Sequence, residues 1–460
     1  MLSPLSDGEW SRRHADHLLN RAGFGGSPAE REALFVLGRD SGVAAAVDSL
    51  VQAVEDWSGF PLPAWAANFS NGDEENFPYH YRETQLVGWY MDQMRNASPL
   101  AAKMFKFYVD HFPVDTGTFP GGVDYIFMFK HLQLLRGHAL GNFGTLVRGV
   151  SWSEAMMAML NLDQSRRGNI NENFGRELLE LFTLGVNGGY TELDVNTVAA
   201  AFTGRMFRYP DEEYTNHPYE GYLNTRDDGY WDAENQIWYP DEYTFIDMTE
   251  KVLFGDPTPI PALELGQLPQ EQGEEVITRI LARPQCAVHM CWKLWRYFVE
   301  PEPSQGLQIA LAQNLIGSGY EVRPLLRDIF LSEEFYASEA MGNQIKDPVE
   351  LIVGFEKMLE IAPLPNATVS EMLEELGYTL YHPPNIAGWP EPVRSGNRWL
   401  STGGMMFRLN LPALITHGTR DIFSQPWHIP DGGDSAPWVP EYPYPDMVDL
   451  DVVAPVEVRG

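Results

Sequence analysis

Apolar residues recur along most of the chain at intervals of three and four, the spacing that lines up one face of an α-helix. Val195, Val198, Ala199, Phe202 and Met206 form one such stripe. Residues 288–299, VHMCWKLWRYFV, are apolar nearly all round and predict a helix in the middle of a core. Helix starts carry a capping residue with an acid three positions on: Ser27 with Glu30, Ser151 with Glu154, Thr191 with Asp194, and Asp347 with Glu350. Pairs of this kind close a capping box, and Pro28 and Pro348 stand at the first helical position, where a missing N–H costs nothing. Sustained β-branched alternation is rare, so the pattern predicts an all-α fold with little or no β-sheet.

Three stretches break the helical texture: residues 57–80, rich in Pro, Asn, Phe and Trp; residues 209–245, where tyrosines and tryptophans alternate with acids; and the Pro-, Trp-, Tyr- and Asp-rich tail after 424. No fixed-period repeat or long flexible linker separates them. The expected organisation is one large multi-helix domain over residues 1–423, with a loop insertion at 209–245 and a tail at 424–460 wrapping it.

Composition narrows the partners. With 44% apolar and 12% aromatic residues, the 460-residue chain has ample material for a core. Sixty-four acids against 32 bases leave a net charge of −32, which repels phosphate backbones and excludes nucleic acid. No window approaches the ~20 apolar residues of a membrane span, and the N-terminus has no apolar stretch of signal-peptide length. The reading is therefore a soluble chain, cytoplasmic by default. Cys286 and Cys291 do not share a helix face at bonding geometry and are too few for a thiolate zinc site, so they are expected as small buried side chains. Phosphate-binding glycine loops, a G-x-S-x-G elbow and dinucleotide fingerprints are absent, which sets aside kinases, α/β hydrolases and nicotinamide enzymes.

Residues 171–186, NENFGRELLELFTLGV, carry the most chemistry. They predict a helix capped by Asn171 or Asn173 and ended by Gly185 or by Gly188-Gly189. Phe174, Leu178, Leu181 and Phe182 fall on one face, while Asn173, Glu177 and Glu180 share another. Facing a cleft, two acids one turn apart can share a proton, hold a divalent cation, or act as acid and base. Facing solvent, Arg176 pairs with Glu180 and Glu172 favours the helix dipole. His17 and Arg21 sit one turn apart, and His111 follows Asp110. His17, His111 and Glu177 would make a mixed metal site, although H-x-x-x-H and H-E-x-x-H spacings are absent. The alternative for each histidine is a core group bonded to a carbonyl. Trp231 and Trp238, beside Asp227, Asp228 and Asp232, suit sugar stacking or else form a surface lid. Pro383 to Pro390 set a fixed path on which Trp389, with Trp399, floors a pocket or turns a rigid corner.

Six motifs run in order along the chain: HLLNRAGFG from His17, FYVDHF from Phe107, the NENFGRELLELFTLGV segment with GGYTELDVNTVAAAFTGR from Gly188, KLWRYFV from Lys293, KDPVE from Lys346, and PPNIAGWP from Pro383 followed by Trp399-Leu400. As a set they resemble the bacterial family catalogued as number 1800 among the domains of unknown function. The resemblance implies a helical protein, frequently exported or at the cell surface, with no generally assigned activity. In the family pattern a His-Asp pair precedes a Lys and a Leu-Gly; here Ile246 stands in place of that His, before Asp247.

The leading expectation is a carboxylate-dependent hydrolase acting on a neutral polysaccharide or glycoconjugate. Glu177, Glu180, Glu172 and Asp247 are its candidate catalytic acids. Arg21, Arg176, Asn173, Trp231, Trp238 and Trp389 are the candidate substrate contacts, and no resident cofactor is required. The rival expectations are a non-catalytic glycan-binding or matrix-assembly protein, and a metal-dependent enzyme using a divalent ion on His17, His111 and Glu177.

Overall fold

A computed structural model describes residues 2–67, 79–118, 124–206, 222–223, 229–232, 237–240, 246–264, 267, 270–299, 302–389 and 399–417. Its compact first unit, Met1–Trp399, is built of helices. In chain order these are α1 (Arg12–Arg21), α2 (Pro28–Ser41), α3 (Val43–Val51), α4 (Ala64–Ala67), α5 (Tyr79–Asn96), α6 (Pro99–His111), α7 (Asp124–Gly137), α8 (Phe143–Ser151), α9 (Glu154–Met159), α10 (Asn173–Glu177) and α11 (Glu192–Ala201). After the segment following α11 come α12 (Gln270–Leu281), α13 (Pro284–Phe298), α14 (Gln305–Gly317), α15 (Val322–Leu331), α16 (Pro348–Leu359) and α17 (Asn366–Glu375). The second unit, Leu400–Gly460, contains α18 (Thr402–His417), with Pro412 inside it.

Three of the four expected capping boxes form, at Ser27/Glu30, Thr191/Asp194 and Asp347/Glu350. The fourth does not. Ser151 closes α8, and Ser153 precedes α9 with its hydroxyl 3.1 Å from His131 Nδ1 instead of on the helix N–H groups. The stripe on α11 is buried at Val195, Val198, Ala199 and Phe202, but the helix ends at Ala201 and Met206 lies in a strand.

The helix buried on nearly every side is α6, which packs on α5 and α7 and carries Lys103 and Lys106 among its enclosed residues. By contrast α13 keeps a half-exposed stripe of His289, Trp292 and Lys293, so its apolar appearance overstates its burial. Cys286 and Cys291 are free and buried.

The 171–186 segment departs from a regular helix. After five residues, α10 gives way to a π-helical turn, Leu178–Thr183, in which the Thr183 hydroxyl donates to the Leu178 carbonyl and Leu184 N donates to Leu179 O at 2.8 Å. Gly185, at φ 83°, closes it. The predicted stripe splits: within α10 Asn173 is exposed and Glu177 is buried, and Glu180, inside the wider turn, is half-buried.

Strands among the described residues are confined to short antiparallel pairs, β1 (Arg205–Met206) with β2 (Tyr222–Leu223) and β3 (Gly229–Asp232) with β4 (Ile237–Pro240), beside isolated bridges such as Asn142 with Glu321. The remainder of the 209–245 insertion, including His217, and the tail after 417 lie outside the described residues. So do the side chains of Trp231 and Trp238. No described helix is long and apolar enough to cross a membrane.

Candidate active site

An amine buried in a helical core needs counter-charges, because stripping water from an ion costs several kcal/mol unless partners replace it. Lys106 shows how α6 meets that cost. Its ammonium lies 2.8 Å from Asp110, one turn on, and 2.9 Å from Asp347, the cap of α16. These carboxylates hold the amine well above the ordinary lysine range against the opposing effect of burial. One turn earlier, Lys103 bonds Glu350. Burial brings the Lys103 amine down to about 8, with Glu350 pulling it back up. Against the upward push of burial, Lys103 and Arg21 hold Glu350 at about 2. Asp347 is raised by burial and by the adjacent charge of Glu350.

Next to this network lies a recess of about 70 Å³ whose wall includes Lys106, Asp110, Asp347, Lys293, Trp389 and Trp399. Tyr378 connects the two parts: its hydroxyl donates to Asp110 at 3.1 Å, the Lys106 ammonium sits 5.7 Å from its ring, and Trp389 stacks on it with centroids 4.3 Å apart. Gly388, at φ 80°, brings the loop close enough that a side chain there would overlap the Asp110 carbonyl.

His111 also lines the recess. Its Nε2 is 3.2 Å from the Phe182 carbonyl, which can only accept, so Nε2 carries the proton. Nδ1 then accepts from Lys293 Nζ at 2.8 Å. Burial, followed by the charge on Lys293, lowers the imidazole well below the ordinary range, in keeping with a neutral ring. With both nitrogens bonded, His111 behaves as a core histidine that positions Lys293.

The predicted site residues separate. His111 and Trp389 line the recess, and Arg21 borders the ionic network, donating to the carbonyls of Phe298, at 2.8 Å, and Tyr297. His17 packs against Phe335 with ring centroids 4.6 Å apart, and burial, then Arg21, lowers it to about 3. Among the described residues no three His, Cys, Asp or Glu side chains group as a metal site, so His17, His111 and Glu177 are not brought together. Glu172 ion-pairs with Arg176 at 3.2 Å and accepts from Asn196 at 3.1 Å. Arg176 pairs again with Glu192 at 2.7 Å, rather than with the expected Glu180. Asn173 donates its backbone N–H to Asn171 Oδ1 at 3.0 Å. Asp247 accepts from the Thr249 N–H at 2.9 Å and faces Lys251 at 3.5 Å. Against burial, the Thr249 bonds hold its carboxyl below the usual range. Ile246 is buried apolar surface.

Glu177 is the exception within that stripe. It is 7% exposed, and burial, then the charge of Glu180, raises its carboxyl to about 7. Tyr190 bonds Glu180 and is itself raised to about 12, mainly by burial.

Sequence reasoning passed over Lys106, Asp347, Lys293 and Tyr378. For the two lysines the signal was a charge inside an apolar helix, as in KMFKFYVDH, which implies a buried partner elsewhere. The motifs themselves converge in space: Arg21, Asp110 and His111, Lys293, Asp347 and Glu350, and Trp389 come from five separate stretches of chain and meet around one network and its recess. No curated protein and no solved structure matches the chain. The profile described as protein of unknown function (DUF1800) matches residues 17–450, nearly the full length, and the chain belongs to that family.

Proposed function

We propose that the protein is a hydrolase acting on polysaccharide or glycoconjugate, with Asp110 and Asp347 as its carboxyl pair. The observation that carries this reading is their common contact with Lys106, at 2.8 and 2.9 Å. That contact keeps their oxygens less than about 6 Å apart, close to the ~5–5.5 Å of glycosidases that work through a covalent intermediate. Environment assigns the roles. Asp347, raised by burial, is the proton donor to the leaving oxygen. Asp110, ion-paired to Lys106 and bonded by Tyr378, is the charged partner that attacks the anomeric carbon. Trp389 and Trp399 supply a wall for the sugar face.

The test is release of new reducing ends from a panel of neutral polysaccharides by wild type, Asp110→Asn and Asp347→Asn. Asn still caps a helix, so α16 keeps its start. Turnover is expected to fall at least about a hundredfold in each variant; unchanged release would remove the pair from the mechanism. Lys106 already ion-pairs with both acids, which favours a second reading as a glycan-binding module. Retention on a polysaccharide column without any product from wild type would select it.

A further inference from the structure

His382 stands at the head of the loop that runs on to Gly388 and Trp389, part of the recess wall. Its Nδ1 is 3.0 Å from Asp115 Oδ1, on the connection between α6 and α7, and its Nε2 is 3.2 Å from Glu83 Oε1, on α5. Ionised carboxylates only accept, so this arrangement calls for a proton on each ring nitrogen, which is the imidazolium. The His382 side chain is 33% exposed, so it exchanges protons with solvent. Its bond to Glu83, against burial, raises the imidazole above its ordinary range, and the same bond, against burial, holds Glu83 below its own. Behind Glu83, Tyr125 of α7 donates to it at 3.1 Å. The two acids bond opposite edges of the ring, so the three groups do not converge on a point where a metal ion could sit.

The donor that a neutral ring needs is also in place. Thr116 Oγ1 lies 3.3 Å from Nε2. A neutral imidazole has one N–H; with that proton kept on Asp115, Nε2 turns its lone pair on Glu83, and the Thr116 hydroxyl is the donor within reach. At present that hydroxyl donates to the Tyr381 carbonyl at 3.4 Å, and the Thr116 N–H donates to the same oxygen at 3.0 Å. Loss of one proton therefore repels Glu83 and draws the Thr116 hydroxyl away from Tyr381. Tyr381, at φ 68°, holds a left-handed backbone that a bulky residue keeps only while its surroundings enforce it. Both changes thus weaken the ties that fix the start of the loop.

We propose that His382 is a pH-sensitive latch: charged, it clamps the head of the 382–389 loop to α5 and to the α6–α7 connection; neutral, it lets go of Glu83 and loosens the loop that carries Trp389. The latch is read without turnover, so it stands whether or not the recess is catalytic. The stabilisation from a raised imidazole is complete below 6.5, its ordinary value, and is lost as pH climbs through the folded-state value. Imidazole C2 hydrogen–deuterium exchange, followed by mass spectrometry, reads the titration of His382 in its own peptide, and backbone amide exchange reads the loop. Wild type, Glu83→Gln and His382→Gln are compared, with melting curves to confirm that each is folded. His382 is expected to titrate above 6.5 in wild type and lower in Glu83→Gln. Amide exchange across residues 379–389, corrected for the chemical rate, is expected to quicken about five- to tenfold between about pH 6 and about pH 9 in wild type and to stay level in His382→Gln. Any shared pH dependence of global stability, such as that from Glu177, cancels in that comparison. Should His382→Gln fail to fold, the shift of the midpoint in Glu83→Gln decides alone. A wild-type midpoint at or below 6.5, a midpoint unmoved by Glu83→Gln, or loop exchange that changes equally in wild type and His382→Gln would each overturn the latch.

Discussion

A carboxyl held at about 7, as Glu177 is, takes up a proton on folding across the range where an ordinary glutamate has lost its own. The native state therefore binds more protons than the unfolded chain between 4.5, the ordinary value, and about 7, and stability falls as pH rises through that window. Glu177→Gln is expected to remove the decline: its Tm should match wild type near pH 4 and exceed it at pH 8, in melts followed by circular dichroism. A variant that melts lower at pH 8 would show Glu177 to be bonded in its charged form. The sequence put Glu177 forward together with Glu180, as acids one turn apart on a shared face. It could not set Glu177 apart from Glu172, because the two differ only in what surrounds them: Glu172 finds Arg176 and Asn196 at the surface, and Glu177 is enclosed.

At the scale of elements, caps and apolar spacing carried most of the helix assignments, since a box such as Thr191/Asp194 is complete within four residues. The π-turn was hidden because its extra residue is selected by tertiary packing: Phe182 O meets His111 and Leu181 O meets His289, both from distant helices. Close approach of helices also explains Gly175. A Cβ there would stand 2.9 Å from Val195 O and from Ala199 N, both backbone atoms of α11 that cannot step aside. Gly175→Ala is expected to destabilise by about 1–3 kcal/mol, less the few tenths to ~1 kcal/mol that Ala returns in helix propensity, measured by urea denaturation. A gain in stability would mean that α10 and α11 separate freely. The lysines of α6 are the opposite failure of legibility: their place in an apolar helix implies buried partners, and only the fold shows these to be Asp347 and Glu350, some 240 residues on.

For the whole molecule the net charge of −32 sets the balance between cohesion and self-repulsion. Raising salt from about 0.01 to 0.15 M shortens the screening length from ~30 to ~8 Å, which weakens repulsion among exposed acids. It leaves enclosed pairs such as Arg95 with Glu356, at 2.7 Å, largely untouched. Tm is therefore expected to rise with sodium chloride over that range in differential scanning calorimetry. A fall would mean that exposed ion pairs such as Arg12 with Glu32 outweigh the repulsion. The all-α architecture was legible at this scale because helical period and composition are properties of the full chain, while the recess was not, since its walls come from stretches far apart in sequence.

Those distances bear on how the protein is made. Lys103 meets Glu350 across 247 residues, Arg95 meets Glu356 across 261, and Arg21 reaches Phe298 across 277. A ribosome adding roughly 5–20 residues each second needs on the order of ten seconds to a minute to span such intervals. Throughout that time the amino-terminal third of the nascent chain holds cations destined for the interior, such as Lys103 and Arg95, whose buried partners Glu350 and Glu356 are not yet translated. The final third of the message therefore determines when the first third can bury those cations.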